Sequence, residues 1–283
     1  MQQAKFGLIG HPISHSLSPA LFKAGYEGRY PYELIETPDF EEAYSRFLAE
    51  YDGINVTAPF KEQAFAKADI LSEECRIIKA TNLLVKTPEG VKAYNSDYLG
   101  VRMWLQEVAA RFSRSGICDS ADMSNGSIRT LIVGLGGAGK AAAVAAASSG
   151  MDLILMNRSI GKAEAVAESI CMMDDAPHTE VRPMEDFREC FREADIIIYN
   201  IPTAVPALNG LAAEDFGKDR PKFIMEANYK DPSFDKELIM KIKNAGHKTE
   251  YTSGRTWLLY QAVTGYEIFT GERPDLPHMT AVL

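Results

Sequence analysis

Gly134-Leu135-Gly136-Gly137-Ala138-Gly139 spells G-x-G-x-x-G directly after the apolar run Leu131-Ile132-Val133, and it opens an alanine-rich segment. A loop of this kind between a strand and a helix holds a dinucleotide for three physical reasons. The first glycine permits a tight turn, the second lets the backbone approach a pyrophosphate, and the third lets helix and strand pack closely. Free amides at the helix N-terminus then face the phosphate charge. The residues expected to line this loop are Gly134, Gly136, Gly137, Ala138 and Gly139. The next strand ends in Asn157-Arg158-Ser159, with Lys162 beyond it. An NAD site carries a carboxylate there to accept from the ribose 2′-hydroxyl. A guanidinium instead pairs with a 2′-phosphate in a bidentate way. NADP(H) is therefore expected over NAD(H), with Asn157, Arg158, Ser159 and Lys162 at its adenosine end.

Hydride transfer to or from such a cofactor also moves a proton, so a positioned acid or base is required. Three polar clusters in the first third of the chain are candidates: His15-Ser16-Leu17-Ser18-Pro19, Asn55-Val56-Thr57-Ala58-Pro59-Phe60-Lys61, and Asn82 with Asn95-Ser96-Asp97. Each follows a strand-like segment, where ligand sites of open α/β sheets gather.

The elements that must position them alternate. Strands are expected at Lys5–Gly10, Tyr32–Glu36, Gly53–Thr57, Thr81–Lys86 and Val91–Tyr94. The last two flank Thr87-Pro88-Glu89-Gly90, which reads as a hairpin turn. Ser18-Pro19 reads as a helix start with serine at the N-cap. Helices are expected over Phe40–Tyr51, from Lys61 through Ala68, and over Tyr98–Phe112. After Thr130 the rhythm is β-α-β-α: Thr130–Gly134, Lys140–Ser149, Asp152–Asn157 and Lys162–Ile170. Strands at Asp195–Asn200 and Lys222–Glu226 follow, then a helix over Asp235–Ala245 and a last strand over His247–Tyr251. An apolar helix covers Thr256–Phe269. This alternation implies parallel sheets covered on both faces. Ser113 to Ser127 is rich in Ser, Asp, Asn and Gly and reads as a linker or loop.

Composition narrows the class. The 283 residues suffice for two ordinary domains, and 46% apolar with 24% charged residues is the balance of a globular protein. A formal net charge of −9 argues against nucleic acid as a partner. The four cysteines, Cys75, Cys118, Cys171 and Cys190, show no C-x-x-C spacing, so no metal site or disulfide framework is expected. With no signal peptide or membrane-spanning segment indicated, the cytoplasm is the expected location.

Taken together, the motifs resemble shikimate dehydrogenase. The match is carried by G-H-P-I-S-H-S-L-S-P at Gly10–Pro19, N-V-T-A-P-F-K at Asn55–Lys61, N-S-D at Asn95–Asp97, the glycine loop with N-R-S, and Gln261 in the terminal helix. The resemblance spans nearly the whole chain. It implies an N-terminal α/β substrate domain with a mainly parallel sheet (1–104 and 252–283) and a Rossmann-like NADP-binding domain (105–251). The C-terminal helix would return to the first domain. It further implies that Ser16 and Ser18 hold the substrate carboxylate with Thr57 nearby. Lys61 and Asp97 would form the catalytic pair, and Asn82, Asp97 and Gln261 would read ring hydroxyls. Tyr229 matches a family tyrosine near the carboxylate. The expected reaction is the reversible, NADP-dependent reduction of 3-dehydroshikimate to shikimate, on the route to aromatic amino acids, by a monomer or homodimer.

The sequence departs from the family at Tyr98, where glycine is usual. It departs again at Asn200-Ile201-Pro202-Thr203-Ala204-Val205-Pro206, beside the expected nicotinamide position, and at Trp257-Leu258. These departures keep three alternatives open: a quinate/shikimate dehydrogenase, a paralogue acting on a related cyclohexene carboxylate, and a cofactor-binding regulatory protein without turnover. Which of Lys61 and Asp97 is the formal base is open too.

Overall fold

The computed structural model describes residues 3–114, 128–216, 220–244 and 249–283. Most of the Ser113–Ser127 stretch lies outside the described residues. The chain divides into two compact units, one comprising Met1–Gly100 with Leu258–Leu283, the other Val101–Trp257.

The first third runs β1 (Phe6–Gly10), α1 (Ser18–Gly25), β2 (Tyr32–Glu36), α2 (Phe40–Glu50), β3 (Gly53–Val56), α3 (Lys61–Lys67), β4 (Ile70–Leu71), α4 (Glu73–Ile78), β5 (Leu83–Thr87), β6 (Gly90–Tyr94) and α5 (Ser96–Arg114). Then come β7 (Arg129–Val133), α6 (Gly137–Ala147), β8 (Asp152–Met156), α7 (Ile160–Cys171), β9 (Thr179–Arg182), α8 (Phe187–Glu193), β10 (Ile196–Tyr199), α9 (Pro206–Asn209), β11 (Lys222–Glu226), α10 (Lys236–Asn244), β12 (Thr249–Ser253), α11 (Gly254–Thr270) and α12 (Leu276–Thr280). The chain crosses from one unit to the other within α5 and again within α11.

In the first unit the sheet order is β2-β1-β3-β5-β6-β4. Only β5 runs against its neighbours; the other pairings are parallel. Phe6 packs with Phe22, Tyr266 and Phe269 from α1 and α11, while Ile9 packs with Phe40, Phe47 and Ala64 from α2 and α3. Both sheet faces are thus covered, as a mainly parallel sheet requires. The β5–β6 hairpin pairs Thr87 with Gly90 across Pro88-Glu89, and Gly90 supplies the turn with a φ of +130°.

The second unit is a single sheet of order β12-β11-β10-β7-β8-β9, parallel throughout. Counted from β7, that is strand order 6-5-4-1-2-3, the doubly wound dinucleotide-binding arrangement, whose order reverses between β7 and β10. Leu131, Ile154, Ile197 and Ile224 of the strands pack on Phe187 and Phe191 of α8 and on Leu238 and Ile242 of α10. The Rossmann-like α/β fold expected from the sequence is therefore present.

One local expectation is corrected. Ser18 is not the N-cap of α1. Leu17 occupies that position and Ser18 is the first helical residue. The reason lies in Ser16, whose Oγ accepts from the Ser18 amide at 3.2 Å and closes the turn one step earlier. Among the described residues, no helix is long and apolar enough to cross a membrane.

Candidate functional site

Strand polarity explains how the polar clusters of the first unit meet. Parallel β1 and β3 end on the same sheet edge, and the loops after them are hydrogen-bonded, Thr57 N to Ile9 O at 2.9 Å and His11 N to Ala58 O at 3.1 Å. Gly10 makes this approach possible, because a Cβ there would lie 2.4 Å from Thr57 Cγ2. Since β5 is antiparallel, its start, not its end, lies on that edge. Leu83 pairs with both Asn55 and Tyr94, so Asn82 and the Asn95–Asp97 turn join Thr57 and Lys61.

At the centre, Lys61 Nζ donates to Asp97 Oδ2 at 2.5 Å, with side chains 25% and 10% exposed. Lys61 is the first residue of α3, after a turn closed by Phe60 N to Thr57 O at 3.0 Å. Asp97 lies in the first turn of α5. The capping there is done by its neighbour, as Asn95 Oδ1 accepts from Tyr98 N at 3.1 Å.

Asn82 is buried, and its Oδ1 accepts from Ser96 N at 2.7 Å. Its carbonyl accepts from Val56 N at 2.8 Å and from Asn55 Nδ2 at 3.4 Å. Asn55 Oδ1 in turn accepts from the Tyr32 hydroxyl at 2.8 Å. Burial holds Tyr32 well above the usual phenol range, so it remains a donor. Ser16 Oγ and Ser18 Oγ lie 3.1 Å apart, and Tyr266 of α11 donates to Ser18 O at 3.1 Å. Gln261 sits against α5, where a Cβ on Gly100 would come 2.6 Å from the Gln261 nitrogen. Ser16, Ser18, Thr57, Lys61, Asn82, Asp97 and Gln261 all belong to the first unit.

Sequence reading placed Asn55 and Asn95 in candidate clusters without a role of their own, and it did not pick out Tyr32 or Gly100. Asn55 was visible inside its motif, and Asn95 three residues before Tyr98 has N-cap spacing. Tyr32 and Gly100 act through partners distant in sequence and carry no local signal.

The second unit holds the nucleotide candidates. Gly134 has a φ of +87° and donates its amide to Met156 O at 2.8 Å. A Cβ on Gly139 would lie 1.8 Å from Gly134 O, while one on Gly136 would meet nothing within 4 Å. The third glycine is therefore imposed by packing, and the second faces open space. Gly137, Ala138 and Gly139 form the first turn of α6, which has no side-chain cap and no acidic residue there. Asn157 Oδ1 accepts from Leu135 N at 3.1 Å and its Nδ2 donates to Ser159 O at 2.9 Å, tying the end of β8 to the glycine loop. Arg158, Ser159 and Lys162 are exposed at the start of α7, again without an acidic first-turn residue. Asn200, beside the loop at the end of β10, keeps a buried Oδ1 without a hydrogen-bond partner among the described residues. Open space at Gly136, uncapped amides and exposed cations suit a dinucleotide with a 2′-phosphate. Tyr229, half-buried after β11, belongs to this unit as well.

Two family models match the chain. One, described as the shikimate dehydrogenase substrate binding domain, covers residues 8–84, and the other, described as shikimate / quinate 5-dehydrogenase, covers residues 120–226. The NADP(+) shikimate dehydrogenase of Caldicellulosiruptor saccharolyticus is 30% identical over 94% of this chain and 91% of its own length. The chain belongs to the shikimate dehydrogenase family. The Methanosarcina barkeri NADP(+) enzyme is 28% identical over 97% of the chain and 95% of its own. Among solved structures, the shikimate 5-dehydrogenase of Thermus thermophilus in complex with NADP(H) and shikimate superposes with a TM-score of 0.73 at 26% identity, covering 99% and 98% of the two chains. The enzyme from Listeria monocytogenes shares the fold, with a TM-score of 0.80 at 22% identity over 99% and 96%. Membership makes this chain an oxidoreductase of the NADP-dependent kind.

Proposed function

We propose that this chain catalyses the reversible, NADP-dependent reduction of 3-dehydroshikimate to shikimate, a step towards aromatic amino acids. The observation that carries it is the 2.5 Å Lys61–Asp97 contact, in the unit that also holds Ser16, Ser18, Thr57, Asn82 and Gln261.

The serine hydroxyls and Thr57 are suited to a carboxylate, which takes hydrogen bonds from several donors at once. Asn82, with Oδ1 engaged by Ser96, offers its Nδ2 as a donor to a ring hydroxyl. Gln261 and Asp97 read the remaining hydroxyls, and Tyr229 adds a contact to the carboxylate. Bound NADP(H) supplies or accepts the hydride. Lys61 donates the proton to the carbonyl oxygen in reduction and takes it back in oxidation, with Asp97 holding the ammonium and accepting from a neighbouring hydroxyl. On the cofactor side, Gly134, Gly136, Gly137, Ala138 and Gly139 bring their backbone to the pyrophosphate. Asn157, Arg158, Ser159 and Lys162 receive the adenosine ribose and its 2′-phosphate. The free thiols of Cys75, Cys171 and Cys190 suit a cytoplasmic location, and we take the working form to be a monomer or homodimer. We accordingly read residues 1–104 and 252–283 as substrate-binding and 105–251 as NADP-binding.

Absorbance at 340 nm with shikimate and NADP, against quinate and NAD, tests the proposal. Turnover of shikimate with NADP is expected to exceed every other pair. The second family model names quinate alongside shikimate; a preference for quinate would replace the substrate reading. Absence of turnover with any pair would favour a cofactor-binding regulator.

A further inference from the structure

Tyr229 lies in a short loop after β11 whose two ends are fastened by a buried carboxylate. Glu226, the last residue of β11, is fully buried. It accepts from the Ser233 amide, from Phe234 N at 3.3 Å and from the Tyr251 hydroxyl at 2.7 Å. Burial raises the Tyr251 phenol, and the hydrogen bond to Glu226 raises it further, so Tyr251 stays protonated as the donor.

Asn228 organises the loop from within. Its Oδ1 accepts from Lys230 N and Asp231 N, both at 3.3 Å, and its Nδ2 donates to Asp231 O at 2.5 Å and to Pro202 O at 3.3 Å. Pro202 belongs to the segment after β10, which is itself held by buried Tyr199. That hydroxyl donates to Thr203 O at 2.8 Å and accepts from Val205 N at 3.0 Å. At the loop's base Gly254 lets α11 start against it, since a Cβ there would lie 2.2 Å from Ala227 O.

A buried carboxylate is costly unless several donors converge on it. An apolar residue could fill the end of β11 at less cost, so a general need for stability does not account for one. What the carboxylate fixes is the path of residues 227–234. We propose that Glu226, Tyr251 and Asn228 are positioning residues. They hold Tyr229 for the substrate carboxylate, and Asn228 couples that loop, through Pro202, to the segment after β10. The inference rests on the functional reading that Tyr229 meets substrate.

Tyr251→Phe removes one hydrogen bond without opening a cavity, and Asn228→Ala alters only the loop and its tie to Pro202, so both should fold. Each is expected to raise KM for shikimate about three- to tenfold. The Kd of Tyr251→Phe for NADP, by calorimetry, should stay within about twofold. Tyr251→Phe in a Tyr229→Phe background should add little, because the positioned group is gone. Additive effects, or an unchanged KM, would overturn the proposal. Amide exchange across 227–234, measured without substrate, is a separate arm. Unchanged exchange in Tyr251→Phe overturns the clasp whatever the enzyme acts on. Faster exchange, with wild type turning over quinate in place of shikimate, overturns the functional reading and leaves the clasp standing, the KM split then being read on quinate.

Discussion

Lys61 and Asp97 lie 36 residues apart in the sequence and meet at 2.5 Å. A pair this close, mostly shielded from water, is suited to keep an ammonium aimed at one point. Lys61→Ala is expected to lower kcat by roughly a hundred- to ten-thousandfold, the usual yield of a positioned acid–base group. NADP affinity, which the proposal assigns to residues of the other unit, should be unchanged by calorimetry. Near wild-type kcat would remove Lys61 from proton transfer. Arg158 makes a separate claim. Replacing it with alanine deletes a charge-assisted contact, valued at about 1.5–3 kcal/mol, so Kd for NADP should rise at least about tenfold while Kd for NAD moves little. An equal loss for both cofactors would show that Arg158 does not read the 2′-phosphate. At this scale the sequence told a good deal, because motif spacing marks residues that follow strand ends. It could not tell that Asn95, not Asp97, caps α5, since both have cap chemistry and only the backbone decides between them.

Most strands and the longer helices were readable, and a set of short elements was not. Tyr32–Glu36 and Lys222–Glu226 match their strands residue for residue. β4, α4, β9, α8 and α12 escaped notice because elements of two to seven residues owe their form to packing more than to pattern. The antiparallel course of β5 was implied by the hairpin turn, yet its consequence, placing Asn82 beside Asn55, appears only once the sheet is assembled. Two predictions belong to elements. Gly100→Ala would gain about 1 kcal/mol in an unconstrained helix. Here its Cβ meets the α11 backbone at 2.6 Å, so overpacking of about 1–3 kcal/mol should prevail. Denaturant unfolding should show a net loss, together with a raised KM for shikimate from the displaced Gln261. Lys222, at the start of β11, is buried and donates to Phe191 O at 2.7 Å and Arg192 O at 3.3 Å, and also to Ala194 O, closing the end of α8. Burial lowers its pKa to about 8 from 10.5. Between those values the unfolded chain binds more protons than the folded one, so this group makes stability rise with pH. The rise is worth about 1.4 kcal/mol per pH unit at most. Above about pH 10 the raised phenols of Tyr26 and Tyr266 act in the opposite sense. Between pH 8 and 9.5 the buried thiols of Cys75 and Cys190, raised from 9.0 to about 12 and about 11, pull stability the other way, so urea unfolding at pH 8 and pH 9.5 should show a slope that is more positive in wild type than in Lys222→Met. An unchanged slope in the variant would assign it to other groups.

The chain forms its two units as an insertion of one within the other. The chain builds most of one unit, leaves it within α5 to make a complete six-stranded parallel sheet, and returns within α11 to deliver Gln261. Such an insertion keeps the residues proposed for substrate and those proposed for cofactor largely in separate cores, with Tyr229 the exception on the cofactor side. Ligand stabilisation should reveal this. A ligand at a hundred times its Kd stabilises the folded state by about 2.7 kcal/mol, enough to raise Tm by a few degrees for a chain of this size. Lys61→Ala should leave the shift caused by NADP intact while shrinking that caused by shikimate at fixed concentration. Arg158→Ala should do the reverse. Tyr229→Phe should behave like Lys61→Ala although it lies in the nucleotide unit, and that crossover is the most discriminating observation. If it reduced the NADP shift and spared the shikimate shift, Tyr229 would belong to the cofactor, and substrate recognition would rest on the first unit alone.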